Sequence, residues 1–231
     1  MSRCNMAKIN LVRSVLKAND AVAAVNRKRL TDAGILVVNI TSAPGSGKTC
    51  LLEQTIPALA PELRSAVIVG DLQTARDAER LADLAVEVTQ INTEGGCHLT
   101  ATQVADGLAA LKLEEIAFLF IENIGNMVCP AGYDLGEHCR VAMLSVPEGD
   151  DKVAKYPTLF QPADVIVLNK IDLIDVLGYE KGRMYDDLSR INTRAPVIEL
   201  SAKTGEGLDA WLDWLRTRRA GPQGRRGQCV R

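Results

Sequence analysis

The chain has 231 residues, of which 47% are apolar and 24% are charged, and its formal net charge at pH 7 is −2. This length and composition suit one globular domain with additions, and the near-zero charge argues against a nucleic-acid partner. No apolar run approaches the roughly 20 residues that a membrane-spanning helix requires. The N-terminus also lacks the apolar core of a signal peptide. We therefore expect a cytoplasmic protein without a membrane partner.

Apolar stretches alternate with helical patterns along most of the chain. Residues 1–33 are predicted to form an N-terminal helical extension, because apolar side chains recur at helical spacing over 9–32. Strands are predicted at 35–40, 66–69, 86–91, 117–121, 141–146, 165–168 and 197–200, with 86–91 near an edge because it alternates more. Helices are predicted at 50–60, 75–84, 101–111 and 208–218. This order is typical of a three-layer α/β domain with a doubly wound, mostly parallel sheet over 34–217. Residues 218–231 mix Arg with Gly and Pro, which predicts a disordered basic tail.

The sequence SAPGSGKT follows the first predicted strand and precedes a helix, which is the setting of a Walker A loop. Gly45 and Gly47 let the backbone curl so that N–H groups point at phosphate oxygens. Lys48 is expected to reach the β and γ phosphates, and the Thr49 hydroxyl to ligate Mg²⁺. The general pattern opens with Gly, whereas Ser42 stands there in this chain. The predicted phosphate-binding residues are Gly45, Ser46, Gly47, Lys48, Thr49 and Cys50.

A base-binding loop is predicted directly after the strand at 165–168, where the sequence reads NKID. The Asp172 carboxylate can accept hydrogen bonds from guanine N1–H and N2–H₂, a donor pair that adenine lacks. Asn169 can bond the N7 edge of the purine and brace the loop, and the Lys170 stem can cover a base face. A second supporting loop follows the last predicted strand. It consists of Ser201, Ala202 and Lys203. The sequence therefore predicts specificity for guanine nucleotides.

Two acidic residues end predicted strands at the carboxyl edge of the sheet, where ligands bind in such folds. Asp71 is a candidate to orient the attacking water or to hold Mg²⁺ through water, and Glu122 is a candidate second-sphere Mg²⁺ ligand. Gly125 is a candidate N–H donor to the γ-phosphate, whereas Asp77 fits a helix cap better. The predicted catalytic residues are Lys48, Asp71 and Glu122, and the predicted magnesium residues are Thr49, Asp71 and Glu122.

With these motifs in place, the chain resembles the HypB family of nickel-incorporation GTPases of hydrogenase maturation, from residue 9 to about 215. The most specific segments are TEGGCHL at 93–99, ENIGNMVCPA at 122–131, and EGDDK at 148–152 running on to KYP. The family belongs to the SIMIBI class of P-loop GTPases, which work as nucleotide-dependent dimers. The resemblance implies a GTP-dependent homodimer that hydrolyses GTP to GDP with Mg²⁺. It also implies delivery of Ni²⁺ to the hydrogenase large-subunit precursor, with a HypA-type nickel/zinc accessory protein as partner.

Two features bear on how far this resemblance extends. Some relatives carry an N-terminal Cys-x-x-Cys-Gly-Cys site or a His-rich stretch. This chain has only Cys4 near its N-terminus and two histidines in all, so neither a high-affinity N-terminal nickel site nor a nickel store is expected. Hydrolysis is expected to be slow, because no arginine finger is identifiable in cis. Lys152 or Lys155 of a facing subunit is a candidate for that role.

Cys97, His98 and Cys129 are the candidate metal ligands, because thiolate and imidazole suit Ni²⁺ and Zn²⁺ alike. Their two loops follow strands of the same sheet, so the ligands can converge at its functional edge. Three ligands fall short of the four of a closed site, and a symmetric dimer can complete the set. His138 is a weaker candidate for a second site. The remaining cysteines, Cys50, Cys139 and Cys229, are expected in the core or the tail.

A coupling between the two sites follows from spacing, because Cys129 lies a few residues beyond Glu122 and Gly125. If the γ-phosphate holds that segment, hydrolysis moves Cys129 against Cys97, and metal geometry depends on the nucleotide. Two alternatives stay open. One is a metal carrier in which nucleotide only controls dimerisation. The other is a SIMIBI GTPase that serves another metalloenzyme, such as urease or a cobalamin-dependent mutase.

Overall fold

The computed structural model describes residues 3–60, 63–71, 76–84, 87–93 and 95–221. The strands in this part of the chain are β1 (Leu36–Ser42), β2 (Arg64–Asp71), β3 (Glu87–Asn92), β4 (Ile116–Glu122), β5 (Cys139–Ser145), β6 (Val165–Asn169) and β7 (Val197–Glu199). The helices are α1 (Arg3–Asp32), α2 (Lys48–Leu59), α3 (Arg76–Ala82), α4 (Ala101–Ala109), α5 (Lys152–Lys155), α6 (Pro157–Phe160), α7 (Ile174–Leu177), α8 (Lys181–Ile191) and α9 (Leu208–Ala220). Short 3-10 turns lie at Pro130–Gly132, Val146–Glu148 and Ile171–Leu173.

All the strand pairs run parallel, in the order β3-β2-β4-β1-β5-β6-β7. The predicted doubly wound α/β sheet is therefore confirmed, and the alternating strand β3 does lie at an edge. Because β1 lies between β4 and β5, with β2 beyond β4, the loops after β1, β2 and β4 meet at one edge of the sheet. That edge carries the Walker A loop and both candidate acids.

Alternate residues of each central strand face opposite layers, and this explains the long apolar runs of the sequence. Val38 and Ile40 pack with α2, α3 and α9 on one face. Val37 packs with α1 and α4 on the other face, where β5 and β6 also meet α6 and α8. The indole N–H of Trp211 donates to Thr55 Oγ1 at 2.9 Å and so joins α9 to α2. Two helical layers therefore bury both faces of the sheet.

The elements differ from the predicted ones chiefly in the helices. The helices α5 to α8 were not predicted, because each is short or lies in a polar stretch. Helix α9 continues to Ala220, three residues into the segment predicted as a tail, and Arg218 lies 5.2 Å from the ring centre of Trp214. The rest of that tail (222–231) lies outside the described residues, as do the predicted first residues of β3 and α3, 86 and 75.

Helix α1 packs against α4 and lies outside the sheet, on the side that α4 covers. Leu30 of the predicted apolar pattern is buried, and Ala23 beside it is buried as well, whereas Val25 of the same pattern is 66% exposed. In the described part of the chain, no helix is both long and apolar enough to cross a membrane.

Candidate functional site

The Walker A loop connects β1 to α2 and has the backbone conformation that its glycines predict. Gly47 has φ +100°, and a Cβ at this position would lie 2.6 Å from Asn169 Nδ2. Any side chain here would be strained by the backbone and would also collide with the base-binding loop. Ser42 does not have a positive φ, so the opening position needs no glycine in this chain. Its hydroxyl accepts a hydrogen bond from Lys48 Nζ at 3.2 Å.

A cleft of about 550 Å³ opens beside this loop, between the carboxyl ends of β2 and β4 and the start of α3. Lys48, Asp71, Glu122 and Gly125 all line it, so these predicted catalytic and phosphate residues face one space. Lys48 is only 7% exposed, and its burial lowers the pKa of the ammonium group against the attraction of the surrounding carboxylates. The cleft therefore pairs one buried cation with several acids.

Glu122 is the most perturbed acid of the cleft. It is 3% exposed, and its Oε1 accepts a hydrogen bond from the Thr49 hydroxyl at 2.7 Å. Burial raises its pKa to about 7, although Lys48 and Thr49 oppose that shift. Its other oxygen, Oε2, is buried without a hydrogen-bond partner among the described residues. A buried carboxylate oxygen left in this way has the chemistry of a ligand for a hard cation or for the water around one.

Asp77 also lines the cleft, although its sequence position fits a helix cap better. It lies in the first turn of α3, which Arg80 joins to α2 through two bonds to the Glu53 carboxylate, at 2.8 and 2.6 Å. This pair joins the last turn of α3 to α2, the helix that follows the phosphate loop. The sequence signal for the place of Asp77 in the cleft is its position six residues after Asp71, the end of β2.

The base-binding loops are connected to the phosphate loop. Asn169 Nδ2 donates to the carbonyl of Ser46 at 2.8 Å, and Asn169 Oδ1 accepts from the N–H of Ala202 at 2.9 Å. Lys170 Nζ donates to the carbonyl of Gly45 at 2.7 Å. Asn169 thus braces the two loops as predicted. The ammonium group of Lys170 binds the phosphate loop. Asp172 lies exposed in the turn Ile171–Leu173, where it is open to a base.

The remaining members of the predicted nucleotide set surround the same loops. Ser46 and Ser201 are fully buried, and Lys203 is exposed beside them. The Cys50 thiol is half-buried and donates to the carbonyl of Ala202 at 3.5 Å, and burial raises its pKa. Cys50 therefore packs against the supporting loop as a short side chain of α2.

Local capping interactions position the candidate metal ligands. Thr100 caps α4 and exchanges hydrogen bonds with Gln103, which fixes the helix start just after His98. On the second loop, Asn126 Oδ1 accepts the N–H groups of Val128 and Cys129 at 2.8 and 3.2 Å. This turn orders the chain directly before the short helix Pro130–Gly132. Both ligand loops thus have defined backbone paths.

The structure brings Cys97, His98 and Cys129 together, with their possible ligand atoms all within 4.8 Å of one another. Cys97 Sγ lies 3.6 Å from His98 Nδ1, and hydrogen bonding with Cys129 raises the pKa of the Cys97 thiol. Burial lowers the pKa of His98, whose ring stacks on Tyr133 with centroids 3.9 Å apart. Two sulfurs and one imidazole at this spacing can hold Ni²⁺ or Zn²⁺. All three are half-buried, so a further ligand can approach.

The segment from Glu122 to Cys129 physically links the two sites. Asn123 donates its backbone N–H to the carbonyl of Ile40 at 3.1 Å, which holds the start of the segment on β1. Gly125 then lies directly against Pro44 of the phosphate loop, where a Cβ would come within 2.8 Å of the proline Cα. The phosphate loop and the chain that leads to Cys129 are therefore in direct contact.

His138 is a structural residue, so the weaker prediction of a second metal site there is wrong. Val37 N–H donates to its Nδ1 at 3.0 Å, and its Nε2 lies 2.8 Å from the Thr31 hydroxyl. Because Nδ1 accepts a hydrogen bond, Nε2 carries the ring hydrogen and donates it to the Thr31 hydroxyl. Both ring nitrogens are thus used to join α1 to β1. Cys139 is buried in the core, as predicted.

Lys152 and Lys155, the candidate lysines for a facing subunit, both contact Asp151. Lys152 Nζ lies 2.7 Å from Asp151 Oδ1, and Lys155 forms an ion pair with the second oxygen. These bonds lower the pKa of Asp151 to about 2. Each lysine must leave this carboxylate before it can act on another molecule.

Comparison with known proteins points to one family. The family model described as CobW/HypB/UreG, nucleotide-binding domain, matches residues 36–199. Hydrogenase maturation factor HypB of Escherichia coli (strain K12) is 43% identical over 219 residues, which are 95% of this chain and 75% of that protein. The hydrogenase/urease maturation factor HypB of Helicobacter pylori (strain J99) is 40% identical over 217 residues, which are 91% of this chain and 89% of that protein. A crystal structure of HypB from Helicobacter pylori in complex with nickel superimposes with a TM-score of 0.84 at 39% identity, over 87% of this chain and 95% of the other.

Proposed function

Since the chain belongs to the HypB family of hydrogenase maturation factors, we propose that it is a GTP-hydrolysing metallochaperone that assists nickel insertion into the large subunit of nickel–iron hydrogenase. The observation that carries the proposal is the segment 122–129. It begins in the nucleotide cleft at Glu122, touches the phosphate loop at Gly125 and ends at the metal ligand Cys129.

Guanine nucleotide is the proposed substrate. The phosphate loop supplies backbone N–H groups and Lys48 for the phosphates, and exposed Asp172 supplies the carboxylate for the base. Asn169 ties the base loop to the phosphate loop before any ligand binds, so the two halves of the site are preorganised. Asp172 selects guanine, because adenine lacks the donor pair and would leave the carboxylate oxygens without hydrogen-bond partners.

The residues present fit Mg²⁺. Thr49 and Glu122 share a hydrogen bond in the cleft, and Glu122 keeps a second, buried oxygen without a partner. Hydroxyl and carboxylate oxygens are the ligands that Mg²⁺ prefers, and Asp71 lines the same cleft. When bound, the ion would neutralise phosphate charge and polarise the terminal phosphate. We assign Thr49 to direct contact and Asp71 and Glu122 to the surrounding water shell.

Hydrolysis needs a positioned water and charge stabilisation at the γ-phosphate. Lys48 supplies the charge from a buried position, where the electrostatic interaction is stronger than in water. Asp71 and Asp77 both line the cleft and are the candidates to orient the water. Because the described lining of this cleft includes no arginine, we expect slow turnover by an isolated subunit. A facing subunit or a partner would then accelerate it.

Nickel is the proposed cargo of the site formed by Cys97, His98 and Cys129, and Zn²⁺ is the alternative occupant. A fourth ligand from a second copy of the chain would complete the site, which agrees with a homodimer whose two copies meet across these loops. GTP-dependent dimerisation would then couple nucleotide binding to metal binding. The two cysteines act as thiolates, which suits the reducing cytoplasm, and His98 acts as a neutral imidazole.

The partners we propose are the hydrogenase large-subunit precursor and a HypA-type nickel/zinc accessory protein. A transfer assay tests the proposal. The protein is loaded with ⁶³Ni²⁺ and GTP and mixed with a hydrogenase precursor, and nickel in the precursor is counted. We expect transfer that depends on GTP hydrolysis and is lost in Cys97→Ala, while Cys139→Ala, a buried cysteine of the core, retains it. No nickel in the precursor under any nucleotide condition would contradict the proposal.

The same assay separates two other candidate functions. A metal carrier in which nucleotide only controls dimerisation would transfer nickel equally well with a non-hydrolysable GTP analogue. A protein serving another metalloenzyme would favour that precursor. A urease precursor is the natural comparison, because one relative is named a hydrogenase/urease maturation factor.

A further inference from the structure

Two asparagines of α1 bridge the same pair of distant chain segments. Asn19 accepts a hydrogen bond from the N–H of Ala101 at 2.9 Å and donates one to the carbonyl of Asp134 at 2.7 Å. Asn26 donates to the carbonyl of Ala101 at 2.8 Å and to the carbonyl of Leu135 at 3.2 Å. Asn19 and Asn26 lie two helical turns apart and therefore on one face of α1. The N–H and the C=O of one residue, Ala101, are thus each tied through α1 to the chain at 134–135.

The two bridged segments are those that carry the candidate metal ligands. Ala101 is the first residue of α4 and follows His98 by three positions. The segment at 134–135 follows Cys129 across the short helix Pro130–Gly132. Tyr133, between that helix and Asp134, stacks on the ring of His98. The two ligand loops therefore come together in two places. One is at the candidate ligands themselves, and the other is at α1, which joins the chain that follows each loop.

Both amides are buried, with Asn19 8% and Asn26 3% exposed. Apolar packing alone, through residues such as Leu30, would hold α1 on α4 without fixing its register. Buried amides with two partners each fix that register, because any shift leaves them unsatisfied. Arg27 strengthens the same contact through its ion pair with Asp134 and a bond to the carbonyl of Glu137 at 3.2 Å.

We propose that Asn19 and Asn26 are positioning residues of the metal site, and that they hold the Cys97–His98 loop and the Cys129 loop at ligand spacing. The proposal rests on the proposed metal-binding function and adds a determinant to it. Residues outside the ligand set that orient the ligands commonly change metal affinity without touching the metal. Helix α1 sets the spacing in every nucleotide state, whereas the contact between Gly125 and Pro44 transmits the nucleotide state to Cys129.

The test compares Asn19→Ala and Asn26→Ala with a matched control, Asn192→Ala. Asn192 is 7% exposed and bridges the carbonyls of Phe160 and Ala163 in the same manner, at 2.8 and 2.9 Å, on a part of the fold without metal ligands. Ni²⁺ affinity is measured by competition with a chromophoric chelator, and thiolate-to-nickel charge-transfer absorption is recorded. We expect affinity about tenfold to hundredfold weaker in both α1 variants, with altered absorption, and native affinity in the control.

Further readouts separate positioning from loss of the fold. Thermal unfolding and GTP turnover are measured on every variant, and turnover is expected to stay native because Asn19 and Asn26 lie outside the nucleotide cleft. Asn19→Asp keeps the size of the side chain and the acceptor for Ala101, and it replaces the donor to Asp134 by an oxygen that faces the same carbonyl, so it breaks the bridge at one end. The Ni²⁺ affinity of each α1 variant should fall by the same factor with GDP and with a non-hydrolysable GTP analogue.

Native Ni²⁺ affinity in a folded Asn19→Asp or Asn26→Ala protein would overturn the proposal, as would a loss equal to that of Asn192→Ala. A weakening confined to one nucleotide state would also overturn it. If the native chain binds no Ni²⁺ or Zn²⁺ at Cys97, the proposed function itself fails. If the native chain binds the metal and the α1 variants bind it equally well, only the positioning role of α1 fails.

Discussion

Gly125 lies directly on Pro44, so that a Cβ on the glycine would stand 2.8 Å from the proline Cα and 2.9 Å from its nitrogen. Both atoms belong to the backbone of the phosphate loop, which has little freedom to move aside. The glycine also precedes Cys129 by four positions, in a segment whose start is held on β1 by Asn123. The phosphate loop and the segment that leads to Cys129 are thus in direct van der Waals contact.

Replacing Gly125 by Ala tests that contact. The added Cβ must displace either Pro44 or the segment itself, so we expect weaker GTP binding together with a loss of any nucleotide effect on metal affinity. Gly132→Ala is the matched control, because a Cβ there meets nothing within 4 Å and the residue lies in the same connection. Isothermal titration with GDP, with a GTP analogue and with Ni²⁺ measures both effects. Equal behaviour of the two variants would contradict the role of the contact.

Lys48→Ala is predicted to abolish most GTP hydrolysis. The variant removes the buried ammonium group that faces the phosphates, and a single lost electrostatic donor of this kind typically costs at least about a hundredfold in turnover. Phosphate release under saturating GTP is the measurement. Lys28→Ala, which removes an exposed lysine paired with Asp32 on α1, should hydrolyse at the native rate. Retained turnover in Lys48→Ala would show that the Walker A assignment is wrong.

Asp172→Asn is predicted to lose the preference for guanine. The amide presents a donor where guanine also presents one, so at least one charged hydrogen bond of about 1.5–3 kcal/mol is lost. Xanthine has a carbonyl at that position and should bind better to the variant than guanine does. Asp175→Asn makes the same change of charge in α7, three residues later, and should leave GTP affinity native. Competition of GTP, XTP and ATP for a fluorescent nucleotide distinguishes the two variants.

The ion pairs of Lys152 and Lys155 with Asp151 should make a small contribution to the free energy of unfolding that depends on pH. Their bonds lower the pKa of Asp151 to about 2, below its value in the unfolded chain. A lowered native pKa means that the contribution is present above about pH 4 and is lost as the pH falls toward 2. Melting temperature should therefore fall more steeply over that range in the native protein than in Asp151→Asn. High salt should reduce the difference, because the carboxylate is exposed.

The sequence predicted the sheet well because each strand is buried on both faces and so reads as a continuous apolar run. The stronger alternation of β3 correctly indicated an edge strand. The helices α5 to α7 were missed because each spans only about one turn, too short to show a period. The end of α9 was misplaced because the stacking of Arg218 on Trp214 is a contact within the helix that composition does not show.

The candidate site was predictable where a motif defines the backbone, as at Lys48 and Asn169. It was less predictable where packing decides, and Asp77 is the example, since its place in the cleft depends on how α3 packs beside α2, to which Arg80 and Glu53 join it. His138 looked like a possible ligand until its two nitrogens were found in bonds that join α1 to β1. The bridging role of Asn19 had no sequence signal, because Ala101 and Asp134 are distant along the chain and meet only in the fold.

The most direct test of the account is the Ni²⁺ affinity of the purified protein in two nucleotide states. Competition with a chelator is carried out with GDP and with a non-hydrolysable GTP analogue, on the native chain and on Cys129→Ala. If the nucleotide site and the metal site are coupled, the two affinities differ in the native protein, and the variant shows weak affinity without a nucleotide effect. Equal affinities in both states for the native protein would contradict the coupling.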